Sequence, residues 1–367
     1  MAKIVIDARI INSTTGRYIE RLLAYLQDID TVNEYVVLVL RKDINYWKPK
    51  NKNFSIKVAD YKNYSFAEQI GFLWFLYRLK ANLVHFCMPQ QPILYFKSSI
   101  TSIHDLTLLK VYNSDKNWLV YHFKQLIGKF VFWWVARKSQ FILTISDFSK
   151  NEILRRYRIS PLKVIRTYLA ADGLSIKSKI YKTPYKKYIL YVGQQSDYKN
   201  IRRLIEAHQL LLSSHPNLGL ILVGSKSLLT KNNELWVKNN GYKNVVFTGF
   251  VDDDQLSWLY KNCEAYVFPS LMEGFGLPGL EAMTQGAPVV SSDATCLPEV
   301  YDNAAHYFDP KDVKDMAKKI GEVLENDELR STLIKNGNQQ IKKYSWQKTA
   351  QETLDVYKKA LESNKDS

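Results

Sequence analysis

Apolar residues along this chain come in short runs, each closed by a glycine or a polar turn and followed by a stretch with helical spacing. Ile4, Val5 and Ile6 predict a buried parallel strand within residues 2–10, which Asp7 ends. A loop from Asn12 to Gly16, with Ser13, Thr14 and Thr15, leads to a helix from about Arg17 whose apolar positions are Ile19, Leu22, Leu23 and Leu26. The next strand is Tyr35 to Leu40, and Leu83 to Phe86, Ile100 to Ile103 and Phe141 to Ile145 read as three more. Ser146 or Asp147 has the oxygen needed to cap a helix starting near Phe148. Lysine-rich residues 175–187 have no apolar period and predict a linker.

A second series begins with Tyr188 to Val192 and Gly193, and reaches Lys199 just before a helix at about Ile201. A strand, a glycine and then a lysine at a helix start make an anion site. Leu218 to Val223 with Gly224, and Val245 to Phe247 with Gly249, repeat the strand-to-loop switch. Asp252, Asp253 and Asp254 invite a metal reading, but Asp252 and Gln255 have capping-box spacing for the helix through Trp258, so no metal is assigned. The alternation predicts an α/β protein with two Rossmann-like domains, residues 1–174 and 188–345, and a final helical segment over 346–367.

The segment from Tyr266 to Val300 concentrates the candidate chemistry. A strand, Ala265 to Phe268, breaks at Pro269; a loop with Glu273, Gly274 and Gly276 follows; Pro278 suits a first helical turn because its missing N–H would have no partner there. The helix stops at Gly286 and a strand, Pro288 to Ser292, closes a βαβ unit. Glycines let the backbone approach a phosphate, and the helix start presents N–H groups to it. Glu273 and Glu281, eight apart, suit neutral hydroxyls of ribose or sugar, since phosphate would repel them; spacing alone also allows two solvated glutamates.

Composition adds two facts. The 367 residues are 46% hydrophobic with no apolar run long enough to span a membrane, and the three cysteines, Cys87, Cys263 and Cys296, lack metal spacing and read as buried thiols. Up to Lys187 there are 31 Lys and Arg against 13 Asp and Glu, leaving 20 against 23 after it. Such asymmetry points to an anionic surface met by the first domain, nucleic acid or a membrane leaflet, or to a merely soluble lysine-rich face. Trp118 to Lys138 (WLVYHFKQLIGKFVFWWVARK) and Phe72 to Lys80 suit helices lying at a lipid interface or in the core. The N-terminus, MAKIVIDARI, has no signal-peptide core, which predicts a cytoplasmic protein.

The 266–300 string closely resembles the donor-binding segment of the retaining glycosyltransferases of family 4, with two glutamates at this spacing around a Gly-Phe-Gly loop. The resemblance covers nearly the whole chain, most strongly from Tyr188 to Val300. It implies the GT-B fold, two Rossmann-like domains facing across a cleft with the last helix crossing back to the first. It places Glu281 on the ribose, Glu273 by the donor sugar, Lys199 on the diphosphate, Gly274, Phe275, Gly276 and Leu277 around the phosphates, and Gly249 to Val251 along the nucleobase. His104, in a histidine–aspartate pair at a strand end, is placed beside the donor sugar, and Gly16 by the phosphates. Two departures stand out: Gly16 is the single glycine of its loop, and Tyr198 precedes Lys199 where the family often has arginine, which brings Arg202 and Arg203 into consideration.

The expected activity is metal-independent transfer of a hexose, mannose first, from a nucleotide diphospho-sugar to a glycan or lipid-linked acceptor. No cofactor is expected beyond that co-substrate, and the basic first domain fits an anionic inner membrane face. The rivals are an epimerase or hydrolase of the same fold, and a nucleic-acid-binding protein, for which no reader motif is present.

Overall fold

The computed structural model describes residues 1–13, 15–111, 118–172 and 178–363, with the backbone alone at 118–120, 123 and 124. Thr14, linker residues 175–177 and tail residues 364–367 lie outside the described residues. The chain forms two compact units: Met1–Leu109, His122–Leu169 and Ser345–Ser367 make the first, and Lys110–Tyr121 with Ala170–Tyr344 the second.

Seven parallel strands build the first unit: β1 (Lys3–Asp7), β2 (Glu34–Val39), β3 (Phe54–Val58), β4 (Leu83–Phe86), β5 (Ser99–Ser102), β6 (Phe141–Thr144) and β7 (Val164–Arg166), in the order β3-β2-β1-β4-β5-β6-β7. Ile4, Val5 and Ile6 are all fully buried, as a parallel sheet covered on both faces requires. The helix Gly16–Ile29 returns the chain from β1 to β2 and buries Ile19, Leu22, Leu23 and Leu26. The final helix, Trp346–Ser363, packs against it and belongs wholly to this unit. Its Thr349 Oγ1 donates to Tyr168 O at 2.5 Å, Gln140 Nε2 donates to Ala360 O at 3.0 Å, and Tyr357 is fully buried.

A buried charge cluster sits at the end of β1. Arg9 donates Nε and Nη2 to the two carboxylate oxygens of Asp7, each at 2.8 Å, Nη2 to Glu68 Oε1 at 3.0 Å and Nη1 to Tyr61 O at 2.9 Å. Its guanidinium lies 3.9 Å from the Phe72 ring centroid. Glu68 opens a π-helical turn, Glu68–Phe72, and also accepts from Tyr64 N at 3.0 Å and from Gln90 Nε2. All three guanidinium nitrogens are engaged, so the cluster fixes residues 61–72 onto the end of the sheet.

Six parallel strands build the second unit: β8 (Tyr188–Val192), β9 (Gly219–Val223), β10 (Val245–Gly249), β11 (Ala265–Phe268), β12 (Val289–Ser292) and β13 (Ala305–Phe308), ordered β10-β9-β8-β11-β12-β13. In both sheets the order reverses beside the first strand, at β1/β4 and at β8/β11. The carboxyl ends of the strands at such a reversal are where open α/β sheets bind ligands. Asp252 caps its helix as its spacing predicts, its Oδ1 accepting from Gln255 N at 2.8 Å, and the three cysteines are buried and form no disulfide.

Candidate functional site

In the second unit the loops after β8 and β11 meet at the switch point. After β8, residues Asp197–Lys199 form a single 3-10 turn, and Asn200 takes a left-handed conformation (φ 62°) that starts the helix Ile201–Leu211. Asn200 Nδ2 donates to Pro269 O at 3.0 Å and to Pro310 O at 2.7 Å, while Leu271 N donates to Tyr198 O at 2.8 Å. These bonds clamp the β8 loop against the β11 loop. The result is an ion pair between Lys199 Nζ and Glu273 Oε1 at 2.6 Å, with side chains 14% and 12% exposed. The ammonium also lies 5.2 Å from the Tyr198 ring and 5.4 Å from that of Phe268. Arg202 turns instead to Asn233 and the Trp236 ring, and Arg203 to Asn200 Oδ1.

Glu273 is held from behind. Its N–H donates to Thr295 Oγ1 at 3.2 Å, and Cys296 Sγ donates to its carbonyl at 3.3 Å. The helix Leu277–Thr284 starts at Gly276, whose φ of +91° belongs to glycine. A Cβ there would lie 2.4 Å from Tyr301 Oη and 2.6 Å from Leu297 Cδ2, and Tyr301 Oη donates to Gly276 O. Phe275 is buried edge-on to Tyr344. Pro278 stands in the first turn, Gly279 N donates to Gly276 O, and Glu281 is buried one turn further on. Gly249 ends β10, two strands from β8; its carbonyl accepts from Gly224 N at 3.2 Å, and Gly193 N donates to Val223 O at 2.9 Å, so the loops after β10, β9 and β8 are stitched side by side. Val251 is buried next to the exposed Phe250. Among the described residues no cluster of ligands could hold a metal ion.

The first unit carries Gly16 and His104. Gly16 is the first residue of its helix, where an added Cβ would come 1.7 Å from Ile11 O. His104 follows β5. Asp105 accepts from Thr107 N at 2.8 Å, capping the next turn rather than the histidine. The His104 Nε2 is buried and has no hydrogen-bond partner among the described residues. Burial holds its pKa down to about 4, so the ring is neutral near pH 7. The Tyr18 ring meets it edge-on at 4.6 Å. Behind it runs a buried chain: Tyr18 Oη to Ser102 Oγ at 3.1 Å, Ser102 Oγ to His85 Nε2 at 2.8 Å, and His85 Nδ1 to Tyr357 Oη at 2.6 Å.

Sequence reasoning named Lys199, Glu273 to Leu277 and Glu281 separately, and the fold gathers them around one helix start. It missed Asn200, Thr295, Tyr301 and Tyr18. Asn200 carried a signal, an asparagine before a helix that tolerates left-handed backbone. Thr295 and Tyr301 carried none, since only tertiary folding brings them back to the glutamate loop.

A pH prediction follows from the histidines. Burial lowers the pKa of His85 to about 3, with the His104 charge adding to it, and that of His208 to about 4. Both are fully buried. Each binds a proton in the unfolded chain near pH 6.5 and not in the native one, so stability falls as pH drops below 6.5. Each should cost about 2 kcal/mol between pH 7 and pH 5. Urea midpoints at the two pH values check this, and His208→Gln should flatten the dependence.

The chain resembles known proteins in sequence and in fold. The family model for glycosyl transferases group 1 matches residues 175–340. O-antigen chain mannosyltransferase B of Escherichia coli is 36% identical over 234 residues, 60% of this chain and 61% of that protein, so the match spans about three fifths of its relative. Sucrose-phosphate synthase from Thermosynechococcus elongatus superimposes with a TM-score of 0.77 at 18% identity, over 99% of this chain and 100% of that one. Anabaena HepE, solved with UDP and glucose, gives 0.71 at 14% identity, over 98% and 100%. The fold is therefore that of the GT-B glycosyltransferases.

Proposed function

We propose, on the premise that the chain belongs over residues 175–340 to the glycosyl transferases group 1 family, that it is a sugar-transferring enzyme. It moves a hexose from a nucleotide diphospho-sugar to a hydroxyl of a cell-surface polysaccharide or glycolipid, with retention at the anomeric carbon and without a divalent ion. Mannose is the first candidate, from the activity named for the E. coli relative. The observation that carries the reading is the Lys199–Glu273 pair beside the Gly276 helix start, a cation and an acid converging at a switch point.

On this reading the incoming diphosphate takes over the Lys199 ammonium, and Glu273, released, accepts from hydroxyls of the donor sugar. Charge grows on the leaving diphosphate in the transition state, where Lys199 and the amides of residues 274–277 offset it. Glu281 accepts from the ribose hydroxyls, and the loop around Gly249 and Val251 takes the base. In the first unit, burial keeps the His104 imidazole neutral and its Nε2 desolvated, the state this reading needs of that ring.

A thermal-shift panel of UDP, GDP, dTDP and ADP tests the donor half: one base should stabilise the protein above the others, and no response to any would remove the reading. Incubation with the matching mannosyl donor should give transfer only when an acceptor is added. Donor consumption at full rate without acceptor would favour a hydrolase. Glu281→Ala is expected to raise the donor KM about 30- to 100-fold, about 2–3 kcal/mol, with a smaller change in kcat. Donor titrations check it; an equal loss in kcat would assign Glu281 to the transition state instead.

A further inference from the structure

We infer that one face of the first unit is a docking surface for an anionic lipid bilayer. The face has three parts. The segment through Glu68–Phe72 and the helix Leu73–Arg78 exposes Ile70 and Trp74; the loop before β5 exposes Leu94 and Phe96; the helix Trp118–Lys138 exposes Phe130 and Trp133. Direct contacts join them into one surface. Tyr77 Oη donates to Leu94 O at 3.3 Å and accepts from Phe96 N at 3.2 Å; Trp134 Nε1 donates to Ile93 O at 2.8 Å, and the Phe96 and Trp134 rings meet at 6.5 Å. The loop is thus the bridge between two exposed apolar helix faces, and from Leu126 to Arg137 the second face alone runs about 16 Å.

Charge decides the occupant. Residues 69–104 and 117–146 contain no Asp or Glu, yet they carry Arg78, Lys80, Lys97, Lys124, Lys129, Arg137 and Lys138. The acid nearest in sequence to the first segment, Glu68, is buried and spent on Arg9. Arg137 lies 4.4 Å over the Trp133 ring and Lys97 5.6 Å over that of Tyr77, so cations border the aromatic rings. Aromatic rings at headgroup depth with cations reaching lipid phosphate are what an interfacial surface needs. A self-complementary protein interface would need acids to answer these cations, and these stretches of sequence supply none. No helix among the described residues is long and apolar enough to cross a membrane, so this face would lie on the bilayer. The inference rests on the surface alone and does not need the sugar-transfer reading.

Flotation of the full-length protein with phosphatidylglycerol–phosphatidylcholine vesicles tests it. Binding is expected at low salt, roughly tenfold or more weaker to pure phosphatidylcholine and weaker again at high salt. Phe130→Asp, Trp133→Asp and Trp74→Asp should each weaken it roughly tenfold. Phe250→Asp, at a residue 84% exposed in the second unit, should leave it unchanged. Brominated acyl chains should quench the tryptophan fluorescence of the bound protein. Melting curves on the same variants report whether the fold is kept, and the exposed positions make that the expected result. Three outcomes overturn the proposal: no flotation on anionic vesicles, equal loss in Phe250→Asp, or a dimer in solution that these substitutions dissociate while vesicle binding is absent.

Discussion

Lys199→Ala is expected to lower kcat/KM for sugar transfer about 100- to 1,000-fold, the size found when one charge-stabilising donor is removed from a transition state. The protein should also lose stability, because Glu273 is left without its ion-pair partner in a site where both side chains are largely buried. The two effects can be separated. Lys199→Met combined with Glu273→Gln leaves neither charge behind, so it should regain most of the lost stability and none of the activity. Steady-state rates at saturating acceptor, read beside urea midpoints, give both numbers. Turnover that survives Lys199→Ala would remove the lysine from the diphosphate. Recovered activity in the double variant would mean that the single substitution acted only through misfolding.

Arg9→Met should be the most damaging single change to the fold. It strands Asp7 and Glu68, which are 2% and 0% exposed, as two facing carboxylates. Breaking a buried pair from one side costs about 3–5 kcal/mol, and mutual repulsion adds to that here. The second unit has no part in the cluster, so the expected result is specific: the first unit unfolds at markedly lower urea, while nucleoside diphosphates still shift the melting of the second. Simultaneous Asp7→Asn and Glu68→Gln should restore part of the loss. Equal destabilisation of both units would refute this account of what the arginine does.

Asp7 and Arg9 show where reading the sequence stops. Their place at the end of the first strand is legible, because Ile4, Val5 and Ile6 form an uninterrupted apolar run and the run stops there. The partner, Glu68, is 59 residues away in an unusual helical turn, and nothing local announces it. Strands divide the same way. Central ones such as β4 and β8 are buried on both faces and read directly from their apolar runs. The three that sequence reasoning passed over, β3, β7 and β13, are all edge strands. In β3, Ser55 and Lys57 face solvent, and β7 is three residues long, so each carries half a signal or less. Around the candidate site the residues on the glutamate loop were visible through their spacing. Tyr301 and Thr295, which hold that loop in shape, were not, because their role exists only after the chain has folded back.

The last helix has a consequence for how the protein comes off the ribosome. Residues 346–363 complete the first unit, yet they are made after the whole of Ala170–Tyr344. At ~5–20 residues per second that delay is roughly 10–35 s. During it the seat of Trp346, Tyr357 and Ala360 stands open on a nascent sheet. The unit synthesised first is therefore finished last, and its apolar seat lacks its cover while translation continues.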